Sequence, residues 1–367
     1  MTASSFASRL LRWFDEHGRH DLPWQVDVTP YRIWVSEIML QQTQVRTVIP
    51  YFEHFMTRFP SAEALADAPL DEVLHLWSGL GYYARARNLH RAAVRIRDEH
   101  GGRLPVSLDA LLELPGIGRS TAGAILALAH GLRHPILDGN VKRVLCRHRG
   151  ITEWPGRGPT LAALWSMAES LTPAARVAAY TQAIMDLGAT LCRRTKPACE
   201  RCPVAGDCVA RREGRQDDLP APRPRRSRPL RKTRMFLVRD AEGRVLLERR
   251  PAEGLWGGLW GLPEADLADD AVLWCRTTLG CRPAAVKPMP SVRHGFTHFE
   301  LEIEPVLLEV DDARCVMAGE GRQWYNPRAP ARVGLAAVVE RMLGRLDETD
   351  GGSGSGGRRN AARRKVR

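Results

Sequence analysis

The sequence predicts a multidomain chain, an all-α domain followed by an α+β domain, on three observations. Its 367 residues exceed the roughly 100–200 of one ordinary domain. Apolar residues recur at three- and four-residue spacing in the first half, as at Ala7, Leu10, Leu11 and Phe14. In the second half they alternate instead, with Phe299, Leu301 and Ile303 set against Glu300, Glu302 and Glu304. The stretch LPAPRPRRSRP after Asp218 is too rich in Pro and Arg for a regular element and reads as a linker. The expected boundaries are residues 1–221 for the helical domain, 222–234 for a basic linker, 235–346 for the second domain and 347–367 for a Gly/Ser-rich, basic and flexible tail.

Helical periodicity holds over residues 6–191, and turn signals at Thr29-Pro30, Gly101-Gly102, Pro115-Gly116 and Pro155-Gly156 divide it into several helices. Beyond the linker, residues 235–238 and 245–247 flank Ala241-Glu242-Gly243 as a hairpin. The net charge of +12 is uneven. Residues 1–222 hold 27 basic and 23 acidic residues, 223–234 hold seven basic and none acidic, 235–357 hold 14 and 19, and the last ten residues add six basic. The surplus therefore lies in two short segments, read either as solvated linker and tail or as loose nucleic-acid contacts. Arg outnumbers Lys 49 to 5, which suits bidentate phosphate contacts. No apolar run approaches the roughly 18 residues of a membrane span, and the N-terminus reaches Asp15 and Glu16 before any apolar signal core forms. A cytoplasmic protein without membrane contact is expected.

Four of the eight cysteines, Cys192, Cys199, Cys202 and Cys208, fall within 17 residues as C-x6-C-x2-C-x5-C. Such crowding argues for a metal site over disulfides. Four thiolates hold either zinc or a cubane iron-sulfur cluster, and one C-x2-C pair flanked by wider spacings favours the cluster. Cys146, Cys275, Cys281 and Cys315 lack such spacing and read as small core residues. Two carboxylates also stand out. Glu37 is the only charge in IWVSEIML (33–40), so desolvation raises its pKa and keeps a neutral acid available for a poor leaving group. On that segment alone a buried Glu paired with an Arg fits equally well. Asp138 precedes a helix expected at Val141 and is equally readable as its N-cap.

The cysteine spacing, at the end of an all-helical half, resembles the endonuclease III superfamily of DNA glycosylases, and LPGIGRSTA (114–122) looks like its helix-hairpin-helix turn. Gly116 and Gly118 let the backbone turn tightly and aim free amides at a phosphate. The segments SEIMLQQTQV (36–45), GLGYYAR (79–85) and LDGNV (137–141) closely resemble the adenine DNA glycosylase (MutY) family, with similarity from about Leu10 to Cys208 and again after the linker. The resemblance implies double-stranded DNA as partner, removal of adenine mispaired with 8-oxoguanine or guanine, and one 4Fe-4S cluster on the four cysteines. It implies Glu37 as the acid that protonates adenine at N7 and Asp138 as the carboxylate that stabilises the oxocarbenium-like sugar. Asn140 would orient Asp138, Gln42 and Tyr82 would wedge into the duplex, and Gln182 would line the adenine pocket. Ser120 stands where endonuclease III relatives carry a Schiff-base lysine, which implies a monofunctional glycosylase leaving an abasic site.

Residues 235–345 resemble the family's MutT-like (Nudix fold) domain, which reads the oxidised guanine. Phe296-Thr297-His298 matches its recognition loop, usually Phe-Ser-His, with Thr297 adding a methyl group to the hydroxyl. After Gly261-Leu262-Pro263-Glu264 the chain lacks the R-E-x-x-E-E metal core, so pyrophosphate hydrolysis is not expected. The expected protein is a monomeric base-excision repair enzyme, its linker partners unassigned. Two other readings compete with it: a bifunctional endonuclease III-like glycosylase/lyase and a non-enzymatic, zinc-bearing DNA-binding protein.

Overall fold

The computed structural model describes residues 5–224, 227–296, 298–311 and 321–350, with backbone alone for 347–350. It divides into two compact units, residues 1–227 and 228–367. The first is helical: α1 (Phe6–His17), α2 (Pro30–Leu40), α3 (Val45–Arg58), α4 (Ala62–Ala66), α5 (Leu70–Leu76) and α6 (Ala84–His100). Then follow α7 (Leu108–Leu112), α8 (Arg119–His130), α9 (Gly139–Arg149), α10 (Gly158–Leu171), α11 (Val177–Asp186) and, past a π-helical turn at Leu187–Leu191, the four-cysteine loop and α12 (Val209–Arg212).

Local chemistry starts and stops these helices where the turn signals lie. Thr29 caps α2 by accepting from the Arg32 N–H, with Pro30 at the first helical position. Gly101 ends α6 in the left-handed region, at φ 57°. One part of the core is aromatic, with Phe52, Phe55, Phe59 and Trp77 fully buried: Phe55 meets Phe59 and Trp77 edge to face, and Phe52 meets Trp24. A second part joins α1, α8, α9, α10, α11 and the π-helical turn through Leu10, Ala124, Leu145, Leu164, Ala183 and Leu187. Helix α8 packs on both α2 and α11, which sets three helices around one cleft.

The second unit is a mixed sheet with helices: β1 (Leu230–Arg239), β2 (Val245–Arg249), β3 (Trp260–Gly261), β4 (Glu264–Ala265), α13 (Ala271–Trp274), β5 (Ala285–Pro288), β6 (Val292–Gly295), β7 (Glu300–Glu309), β8 (Arg322–Tyr325) and α14 (Ala337–Asp350). The hairpin expected at residues 241–243 joins β1 to β2. The expected alternation in β7 buries Leu301 and Ile303 and leaves Glu300 exposed.

Three expectations change. Strand β1 begins at Leu230, inside the stretch 222–234 expected to be linker and ahead of the expected domain start at 235. The cause is its parallel pairing with β7, which runs from Leu230↔Glu300 to Arg239↔Glu309 and sets Lys232 against Glu302 (2.9 Å) and Arg234 against Glu304 (3.5 Å). Residues 347–350 continue α14 where the tail was expected to begin, and 351–367 lie outside the described residues. Cys281, expected in the core, is partly exposed, with its Sγ 3.6 Å from that of buried Cys275. Cys315 lies outside the described residues.

Candidate active site and nucleic-acid interface

A cleft of about 860 Å³ opens between α2, α8, α11 and the start of α9. Glu37, Gln42, Ser120, Asp138, Asn140 and Gln182 all line it. Segments spread over 146 positions of sequence therefore meet at one surface.

Glu37 lies on α2, partly exposed where it faces the cleft, and no hydrogen bond or salt bridge to it forms among the described residues. The arginine-paired alternative does not occur there. Burial, and secondly the charge of Asp138, push its pKa up to about 8. Asp138 is the N-cap of α9, its Oδ1 accepting the Val141 N–H at 2.7 Å. Burial raises its pKa as well, while the Val141 and Asn140 amides and the cations of Arg143 and Lys142 pull it back down. The two carboxyls differ in kind: Asp138 has donors and cations that stabilise its anion, and Glu37 has none.

The supports around this pair are specific. Ser120 Oγ accepts the Leu137 N–H (3.0 Å), tying α8 to the segment that delivers Asp138. Asn140 meets Asp138 through its main-chain amide, while its side-chain oxygen accepts from Arg143 Nη2 at 2.9 Å. Arg143 also donates to the carbonyls of Gly188 and Cys192, both at 2.7 Å. Gln182 is buried, and its Nε2 donates to Asp186 Oδ1 (2.8 Å). Asp186 in turn accepts the Arg19 main-chain N–H (2.8 Å) and its Nε (2.9 Å). Because Asp186 accepts all of these bonds, Gln182 turns its NH₂ toward it and keeps its carbonyl oxygen as the free end of the amide.

The outer parts follow the same logic. Gln42 and Tyr82 are exposed and hold left-handed backbones, φ 58° and 51°. Gly116 (φ 83°) makes the hairpin before α8, where an added Cβ would come within 2.8 Å of Asn88. Gly118 caps α8 without a side chain, which leaves the first amides of that helix for an external acceptor. Cys192, Cys199, Cys202 and Cys208 line one cavity with Leu191, Pro197 and Ala198, and buried Arg147 donates to Cys192 Sγ at 3.4 Å. Among the described residues no three His, Cys, Asp or Glu side chains are set to hold a single metal ion.

In the second unit Phe296 stacks on Phe299 (4.7 Å) and packs against Trp256 (5.3 Å) and His294 (4.7 Å), at the turn between β6 and β7. His298 is exposed on that turn, and Thr297 lies outside the described residues.

Sequence reasoning missed Arg19, Asp186, Arg143 and Trp256. Spacing carried a signal for two of them: Asp186 follows Gln182 by four residues and Arg143 follows Asn140 by three, each on one helix face.

Residues 35–170 match the family described as HhH-GPD superfamily base excision DNA repair protein, and residues 234–345 match the NUDIX domain. An adenine DNA glycosylase of Buchnera aphidicola subsp. Acyrthosiphon pisum is 37% identical, over 94% of this chain and 98% of its own. Another, from Mus musculus, is 32% identical over 97% and 80%. A solved thermostable thymine-DNA glycosylase superposes with a TM-score of 0.51 at 29% identity, over 57% of this chain and 95% of its own.

Proposed function

The chain belongs to the adenine DNA glycosylase family, a base-excision repair enzyme acting on DNA, and on that premise we propose that it hydrolyses the bond to adenine opposite 8-oxoguanine or guanine, leaving an abasic site. The observation that carries the reading is Glu37 and Asp138 on one cleft with unequal partners, amides and cations around Asp138 and none around Glu37 among the described residues.

Adenine is a poor anionic leaving group, and the sugar it leaves carries positive charge. Once the base is out of the stack, at a cost of a few kcal/mol that is least at a mismatch, Glu37 is still largely protonated at neutral pH and donates to the ring as the C1′–N9 bond breaks. Asp138, whose anion the Val141 and Asn140 amides and the Arg143 and Lys142 cations stabilise, faces the cationic sugar. Water adds its hydroxyl to C1′ and its proton restores the acid. Gln182 offers an acceptor oxygen, matched to the exocyclic amine of adenine. Ser120 has no amine to form an imine, and its hydroxyl is engaged with Leu137.

The four cysteines would hold a 4Fe-4S cluster. Their all-thiol donor set lines one apolar cavity, and the single C-x2-C pair flanked by wider spacings suits a cubane cluster better than zinc. When bound, the cluster would cross-link loop 192–208 through four iron–thiolate bonds. In the second unit, the aromatic stack supports Phe296 on the turn that carries exposed His298, and these residues would read the opposite base.

Single-turnover adenine release from duplexes pairing it with 8-oxoguanine, guanine or thymine tests the reading. Release is expected from the first two and to be slow from the third, with no borohydride-trapped adduct at lyase level. Indifference to the opposite base would refute the role given to the second unit, and lyase-level trapping would refute the hydrolytic route.

A further inference from the structure

Gln42 and Tyr82 sit in different turns, yet a single side chain bonds to the residues beside both. We propose that Arg85 is a positioning residue that clamps the Gln42 turn and the Tyr82 turn to the C-terminal end of α2, fixing the geometry in which adenine is extruded toward Glu37. The inference rests on the reading of the cleft given above.

Arg85 is the second residue of α6 and is 8% exposed. Its Nη1 donates to the carbonyls of Ile38 (3.0 Å), Met39 (2.7 Å) and Gln41 (2.6 Å). Its Nη2 donates to Thr43 Oγ1 (3.2 Å) and to the carbonyls of Leu80 (3.3 Å) and Gly81 (3.0 Å). The guanidinium carbon also lies over the rings of Trp77 (5.3 Å) and Tyr82 (5.5 Å). No carboxylate pairs with it among the described residues. A buried charge is expensive unless compensated, and here the compensation is carbonyl dipoles. Those of Ile38 and Met39 belong to the last turn of α2, where carbonyls lack helical partners and the helix end is partially negative. Burial lowers the guanidinium pKa to about 10, so the clamp remains charged at neutral pH.

Two further facts connect the clamp to its purpose. Gln42 and Tyr82 both hold left-handed backbones, which residues with side chains keep only where their surroundings over-determine them. Arg85 bonds Gln41 and Thr43 on either side of Gln42, and Leu80 and Gly81 just ahead of Tyr82. Both terminal nitrogens each serve three acceptors, which leaves neither for a phosphate. The planar fork is also needed, because a lysine offers three donors from a single nitrogen and cannot span a helix end and two turns.

The test uses the full chain with adenine opposite 8-oxoguanine and 2-aminopurine beside the adenine as a reporter of unstacking. For Arg85→Lys, the rate constant for adenine release and the rate of the fluorescence rise are expected to fall together by about tenfold or more, with the alkaline limb of the pH profile unmoved because Glu37 sets it. A merely structural role would lower the active fraction and leave the rate constant intact. That result, or a full rate constant, would overturn the proposal. If Arg85→Lys does not fold, Thr43→Val, which removes one acceptor, carries the test: a smaller loss of about threefold in both rates supports the clamp, and unchanged rates overturn it. Failure of the wild-type chain to release adenine would sink the reading of the cleft instead.

Discussion

Glu37 is kept from ionising by where it sits, and this has a thermodynamic consequence. Its folded pKa, about 8, lies above its ordinary 4.5, so the folded state binds the proton more tightly than the unfolded state does. Stability is therefore lost as pH rises from about 4.5 to about 8, by an amount on the order of 3 kcal/mol at pH 7. Glu37→Gln cannot ionise, and it is expected to abolish excision while raising stability at pH 7 by a part of that amount, with little gain at pH 4. Urea melts at the two pH values check this, and equal stability changes at both would contradict it. Asp138 has a raised pKa as well, offset in part by the amides and cations around its anion. Of its two sequence readings the N-cap is observed, one oxygen capping α9, and the residue also lines the cleft, where the proposed carboxylate role would place it. Asp138→Asn keeps the cap's acceptor oxygen and removes the buried charge, so it should lose excision without lowering stability at neutral pH, whereas Asp138→Ala should lose excision and give up the cap, worth about 1 kcal/mol. The apolar company of Glu37 was legible in the sequence. The Asp186–Gln182 bond was not, because an amide four residues from a carboxylate has many partners open to it until a third group, Arg19, fixes one.

Helix boundaries were legible wherever a capping residue or glycine marks them, as at Thr29, Gly101 and Asp138. Strand β1 was misread at its start because composition argues locally and sheet pairing does not. The run LRKTR (230–234) reads as solvated linker until β7 presents Glu302 and Glu304 in parallel register beside it. Each such surface ion pair contributes little by itself, and the backbone pairing carries the strand. The turn between α11 and the cysteine loop depends equally on partners distant in sequence. A Cβ on Gly188 would stand 2.6 Å from the Asn140 Cβ. Gly188→Ala should push the π-helical turn off α9, displacing both the Arg143 bond to Asn140 and the approach to Cys192, and destabilise the chain by about 1–3 kcal/mol. A thermal melt equal to wild type would contradict that account.

Over the whole molecule, the net charge of +12 overstates the free basic surface. Three of the seven basic linker residues, Arg231, Lys232 and Arg234, belong to β1, where they lie against Phe299, Glu302 and Glu304 respectively. On the function proposed above, DNA engagement by the helical unit would rest on placed groups, the α8 amides and the exposed Gln42 and Tyr82. The six basic residues of 358–367 lie outside the described residues, and deleting them is expected to weaken nonspecific binding at low salt more than adenine excision. Equal losses, measured by salt-dependent binding and single-turnover release, would contradict that division. The motifs revealed the two domains and most residues of the cleft, and only the three-dimensional arrangement revealed which groups orient them. At the centre lies the assignment of Glu37 as proton donor and Asp138 as anion. Single-turnover release of adenine opposite 8-oxoguanine, followed across pH for the wild type and Glu37→Gln, tests it most directly. The expected profile is bell-shaped, with the rate falling about tenfold per pH unit above about 8, a loss at acid pH as Asp138 protonates, and no release by Glu37→Gln at any pH. Release that stays level above pH 8, or persists in Glu37→Gln, would contradict the assignment.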